Sequence, residues 1–303
     1  MASMRDIKRR RESVQSTQQI TKAMKLVSTV KLQRARARAE SSKPYFEKMY
    51  DTIQSILSQS GGVDHIYLKD NGSSKKAVIV ITSNRGLAGG YNNNVVRMLA
   101  DSGLNREDVL VYGIGRKGIE ALTHRSYQVL EDDSEIIDEP LFADAAEIGK
   151  KVLEAYRAGE VGEIYIAYTY FKNTVVHDPR LLKLLPISPE ESNGTGAEEA
   201  EAASAGNGAD PAGPHRKFAP MNFEPEAEEA LEMLVPKYIN SIIYGAFIEA
   251  IASENGARMQ AMDSATSNAE EMIAKLSLAY NRARQGAITQ ELTEIISGAE
   301  ALN

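Results

Sequence analysis

The chain has no cysteine and no tryptophan, and only 6% of its 303 residues are aromatic. The missing thiols exclude a disulfide framework, a thiolate zinc site and a cysteine nucleophile. Sparse aromatics suit helices packed through Ala, Leu, Ile and Met. No run of about 18 apolar residues occurs, so no segment reads as a membrane span. The start is polar and charged, unlike the apolar stretch of a signal peptide. Proline is scarce at the two ends, where only Pro44 and Pro236 interrupt long helix-favouring segments at 4–57 and 225–301. At 1.5 Å per residue such helices reach roughly 80 and 110 Å, too long for one compact core. Their apolar faces must pack on each other or on a partner. That is the pattern of a rod.

What is present is unevenly charged. The formal net charge is −7. Residues 1–50 are nonetheless strongly basic, with Arg5, Lys8, Arg9, Arg10, Arg11, Lys22 and Lys25 in the first half of that stretch. An acidic protein surface, a nucleic acid or a membrane face could accept such a segment. Overall negative charge and the lack of interleaved stacking aromatics weigh against nucleic acid.

A heptad line runs through the N-terminal segment as Ile7, Val14, Thr21, Ser28 and Ala35, flanked by Met24, Val27 and Leu32. Its small side chains fit a close two-helix contact. The C-terminal segment carries a comparable stripe at Ala246, Ala250, Ser253, Ala257, Ala261, Ser264, Asn268, Met272, Leu276, Ala279 and Ala283. Between the two, the pattern changes. The run 77–82 (AVIVIT) is continuous and β-branched, the mark of a strand buried on both faces. Strands are also expected at 109–112, 127–130 and 163–172, with another within 174–186. Helices are expected at 91–100, 116–122 and 143–158. Alternation of this kind predicts an α/β domain with a largely parallel sheet. Residues 188–214 are acidic, low in complexity and without aromatic or β-branched aliphatic side chains to bury, and read as a solvated loop. The expected division is a helix over 1–60, an α/β domain over 75–187, the acidic loop over 188–220 and a second helix over 221–303. The fold class is thus α/β with a long antiparallel coiled coil, its two terminal helices flanking a small Rossmann-like domain.

Few residues suggest chemistry. Gly113, Gly115 and Gly118 form a GxGxxG match after a strand and before a helix, the position of a dinucleotide fingerprint. A tight strand-to-helix turn needs glycine even when nothing binds there. The loop 84–90 (NRGLAGG) lacks the Gly-Lys-Ser/Thr ending of a P-loop. His65, His124, His177 and His215 are not spaced for a metal site. Neither a catalytic residue set nor a cofactor follows from these patterns. A nucleotide-dependent enzyme using the Gly113–Gly118 loop and a coiled-coil scaffold for nucleic acid remain the alternatives.

Four segments carry a resemblance. Residues 6–10 (DIKRR) with 17–27 (TQQITKAMKLV), and residues 287–299 (AITQELTEIISGA), resemble the two terminal signatures of the gamma subunit of rotary ATP synthases. Residues 82–92 (TSNRGLAGGYN) resemble that family's central segment. Nearly the whole chain is covered, apart from 188–220. The resemblance implies a non-catalytic central stalk, turning with a membrane c-ring inside a ring of alpha and beta subunits, coupled to proton transport. It also implies contact with an epsilon subunit, and a peripheral place on the cytoplasmic face of a bacterial plasma membrane. Met24 and Lys25 fall at a contact with an acidic lever of beta, with Arg9 and Arg10 adding complementary charge. Arg284, Gln285 and Thr289 fall at a beta catch loop, and Glu254 and Arg258 at coupling positions. Two departures stand out: Asn84 where the family commonly has Asp, and Ala88 where Cys is frequent. The acidic loop has no cysteine pair, so the thiol switch of photosynthetic relatives looks absent.

Overall fold

The computed structural model describes residues 4–59, 65–69, 71–187 and 227–300. Helix α1 spans Met4–Gln59. The α/β elements follow as β1 (Lys76–Ile81), α2 (Tyr91–Asp101), β2 (Val109–Ile114), α3 (Arg116–His124), β3 (Gln128–Asp132), α4 (Phe142–Arg157), β4 (Glu163–Phe171) and β5 (His177–Leu185). Helix α5 spans Ala227–Glu300. The expected acidic loop lies outside the described residues. Two compact units are present: Met1–Val30 with Arg258–Asn303, and Lys31–Ala257. Both α1 and α5 contribute to each.

Strand order in the second unit is β3-β2-β1-β4-β5. Strands β3, β2, β1 and β4 are parallel, and β5 returns antiparallel to β4. Five strands with helices on both faces bear out the expected α/β class. The β-branched run reading of β1 holds as well. Ala77, Ile79 and Ile81 enter one core with Ile148 and Val152 of α4 and Val235, Ile239, Ile243 and Phe247 of α5. Val78 and Val80 enter a second core with Val95, Val96 and Leu99 of α2 and Leu122 of α3. Neither Pro44 nor Pro236 ends its helix; each lies inside one. The missing N–H costs one intrahelical bond, and the helices continue through it.

In the first unit α1 and α5 lie side by side and antiparallel. Arg11 sits over Tyr280, Gln18 meets Glu270, Thr21 meets Thr266 and Lys25 meets Asp263. On α1, Thr21 and Ser28 are buried and Ile7 and Val14 half-buried, so the heptad line does face the partner helix. Val27 does not; it is 58% exposed. On α5 the expected stripe drifts off the contact. Ser264, Asn268, Met272 and Ala279 are exposed while Ala261, Leu276 and Ala283 stay half-buried, and outside the stripe Met262 and Ala269 are buried and Thr266, Ile273 and Tyr280 half-buried. Small residues occur all round this helix, so side-chain size alone did not fix which face is inside.

Candidate partner-contact surface

The glycine loop is closed by one threonine. Thr82, fully buried at the end of β1, donates through Oγ1 to the Gly115 carbonyl at 2.9 Å. The same oxygen accepts the Gly118 N–H at 3.0 Å. A Cβ on Gly115 would collide with the Thr82 backbone, and one on Gly118 with the Thr82 side chain. Gly115 also has φ +103°. The glycines therefore serve a close β1–β2 crossing, and the N–H that a phosphate would need at the start of α3 is already bonded.

The crevice beside it is filled too. In this sheet order, β1 is followed by β2 on one side and flanked by β4 on the other, the switch point where α/β proteins take ligands. Helix α5 runs through it. Ser253 Oγ donates to the Thr169 carbonyl of β4 at 3.1 Å. A Cβ on Gly256 would meet His177 and Phe171, and Ala257 clusters with Ala88 and Tyr91. Small residues at three successive contacts admit the helix backbone where a ligand would otherwise lie.

The loop 83–90 is pinned. Ser83 N–H donates to Asn92 Oδ1 at 2.9 Å, and Ser83 Oγ to the Arg85 carbonyl at 2.7 Å. Asn84 donates through Nδ2 to the Ser134 carbonyl at 2.7 Å and accepts the Arg116 N–H at 3.1 Å. A carboxylate could do only the second, which gives Asn84 its physical role. Ala88 is buried, so it is a packing residue here.

Exposure concentrates on the first unit. Ile20, Leu26, Val27 and Val30 are exposed on α1. On α5, Ile288, Leu292, Ile295 and Ile296 are exposed at i, i+4, i+7 and i+8, one stripe of a helix. With Arg11 level with Tyr280, the antiparallel register carries this stripe past the first described residue of α1. Among the described residues, then, no residue of α1 faces it. The sequence reading missed this stripe, although its spacing announced it. The same register sets Arg5, Lys8, Arg9, Arg10 and Arg11 at about the level of Arg282 and Arg284.

The expected contact residues distribute as follows. Arg9, Arg10, Arg284, Gln285 and Thr289 are exposed, and Met24, Lys25, Glu254 and Arg258 half-buried. Thr289 Oγ1 donates to the Gln285 backbone carbonyl at 2.9 Å. Lys25 ends on Asp263, with Nζ 2.6 Å from Oδ1. Arg9, Arg10, Arg284, Gln285 and Thr289 thus lie towards one end of the helix pair, and Met24 and Lys25 more than three turns further along α1. Glu254 belongs to the other unit.

A family model described as ATP synthase matches residues 3–302. The ATP synthase gamma chain of Lachnoclostridium phytofermentans is 59% identical over 303 residues, covering 100% of both chains. The sodium ion specific ATP synthase gamma chain of Acetobacterium woodii is 42% identical over 305 residues, covering 99% of each. Among solved structures, a chain of the Euglena gracilis mitochondrial ATP synthase (OSCP/F1/c-ring) superposes with a TM-score of 0.68 at 20% identity, covering 99% of this chain and 94% of that one. That likeness extends the shared fold to both long helices and the sheet.

Proposed function

The chain belongs to the ATP synthase gamma-chain family, and from that premise we propose that it is the central rotor shaft of a rotary ATP synthase. Its place is the axis of a ring of alpha and beta subunits, with the c-ring at the membrane and an epsilon subunit beside it. Catalysis belongs to the beta subunits and torque to this chain. No described helix is long and apolar enough to cross a membrane, which suits a peripheral position, here the cytoplasmic face of a bacterial plasma membrane.

One observation carries the reading: two paired helices with an apolar stripe towards one end, Ile288, Leu292, Ile295 and Ile296, that is exposed among the described residues. Such a stripe needs a surrounding apolar partner. A pair of helices has no threefold symmetry, and its exposed residues change along its length: the apolar tip, then the cations of both helices, then Met24. Three identical subunits around it must therefore meet three different surfaces and settle in different states. Turning the shaft permutes those states, and ligand affinities with them. Arg9, Arg10, Met24, Arg284, Gln285 and Thr289 are the contacts toward the ring. Glu254 and Arg258, both half-buried on α5, are the expected coupling positions.

The competing enzyme reading has less support, because Thr82 occupies the Gly118 N–H and α5 fills the switch-point crevice. The test is ATP hydrolysis by purified alpha and beta subunits with and without this chain, alongside gel filtration. A stable complex holding one copy per three beta subunits, with altered turnover, is the expected result. A chain that elutes alone and leaves turnover untouched would overturn the reading.

A further inference from the structure

The helix pair of the first unit is held by an unusual seam. Over Val14, Gln18, Thr21, Lys25 and Ser28, buried or half-buried positions at three- and four-residue steps along α1, one side chain is aliphatic. Polar side chains pair across the contact instead. Gln18 Nε2 donates to Glu270 Oε1 at 3.0 Å. The Thr21 and Thr266 hydroxyls bond at 2.8 Å. Lys25 Nζ donates to Asp263 Oδ1 at 2.6 Å. The rungs advance by three and four residues on α1 and retreat by four and three on α5.

On the α1 side this seam is mostly small and polar, and such positions set register weakly through packing, because one small residue replaces another after a slide. Here the chemistry of the rungs supplies what packing does not. A slide of one heptad, about 10 Å along the axis, would give Lys25 a carboxylate again, at Glu270. It would also set the Thr21 hydroxyl against Ile273. Amide with carboxylate, hydroxyl with hydroxyl and ammonium with carboxylate all match in the observed register and not in that one. The outer rung is solvent-facing, its side chains 39% and 58% exposed for Lys25 and Asp263. Such a pair adds little stability. Its use is positional, as with single polar residues that specify coiled-coil alignment.

We propose that the three rungs are a register pin, and that Lys25 acts on Asp263 across the helix pair rather than as a cation presented to a partner. The effect on turnover rests on the shaft reading; the register effect does not. The chain has no native cysteine, so Thr21→Cys with Thr266→Cys gives one engineered disulfide that reports alignment in the full-length protein. In that background each single reversal, Lys25→Asp or Asp263→Lys, slows disulfide formation by about fivefold, the scale of one surface charge pair. The double reversal restores it. Without the added cysteines, ATP hydrolysis by the complex with alpha and beta subunits follows the same pattern. Two results overturn the pin: disulfide formation indifferent to every reversal, or a double reversal as impaired in turnover as the singles, which would mean that the Lys25 charge acts outward. If the unaltered chain leaves turnover unchanged, the shaft reading fails, and disulfide formation alone decides the pin.

Discussion

Glu163 opens β4 and joins three strands. Its carboxylate takes Lys76 of β1 at 2.5 Å and Lys183 of β5 at 2.9 Å. Tyr165 donates its hydroxyl to the same group at 3.1 Å. Burial alone would raise the carboxyl, but the two ammonium groups, by hydrogen bond and by charge, hold it at about 2. Against an ordinary 4.5 the lowering corresponds to about 3 kcal/mol. The Glu163 side chain is 23% exposed and both lysines reach water, so screening reduces the expected contribution to about 1–2 kcal/mol. The sign follows from linkage. A carboxyl lowered in the folded state stabilises fully above its unfolded value, and that stability disappears as pH falls through the folded value. Glu163→Gln keeps the shape and removes the charge. Urea unfolding at pH 7 should show the variant about 1–2 kcal/mol less stable. The gap should narrow below about pH 4.5 and close near pH 2. A gap that stays constant down to pH 2, or none at pH 7, refutes the assignment of this stability to the carboxylate.

Thr82→Ala removes both hydrogen bonds that close the glycine turn and should cost about 2–3 kcal/mol in denaturant unfolding. Gly118→Ala should cost a similar amount. Because the added methyl meets the Thr82 side chain, the double variant should fall short of the summed costs by about 1 kcal/mol or more; strict additivity would count against the contact. Asn84→Asp replaces the donor to the Ser134 carbonyl with a second acceptor, so thermal unfolding at pH 7 should show a loss of about 1–3 kcal/mol, partly recovered below about pH 4 when the carboxyl can donate. Ile295→Asp with Ile296→Asp should leave unfolding of the isolated chain within about 0.5 kcal/mol of the parent while weakening assembly with alpha and beta subunits on gel filtration. A destabilised chain, or unaltered assembly, would mean that the stripe is not a partner surface.

How much of this was legible in the sequence depended on how far apart the interacting residues lie. The run at Ala77–Ile81 declared a strand buried on both faces because β-branched residues on successive positions have no other economical use, and its two cores bear that out. Strand β5 was harder. Its hairpin to β4 aligns Phe171 with His177 across a turn of five residues, and Pro179 lies within it, so the pattern suggested a strand without its direction. Helix phase divided in the same way. On α1 the buried positions recur with a period of seven among charged residues, and contrast alone exposes the seam. On α5 alanine, serine and methionine occupy several faces, so the seam became visible only once Thr21, Lys25 and Gln18 named their partners.

The candidate site shows the limit most clearly. A glycine triplet after a strand has one sequence signature whether it admits a pyrophosphate or a neighbouring strand. Thr82, which decides between them, stands 36 residues from the Gly118 N–H it accepts. Lys25 raises the same ambiguity with opposite consequences. As a sequence it is one cation among several in a basic segment, available to any acidic partner. Folded, it lies 238 positions in sequence from the Asp263 it binds, and its charge is paired across the two helices. The outward-facing chemistry then falls to residues whose neighbours leave them uncovered: Arg9, Arg10, Arg284, Gln285 and the apolar tip. A rotor must be firm along its own axis and distinctive toward its surroundings. The polar rungs serve the first need and the exposed tip the second, so a change confined to one should be separable from a change confined to the other.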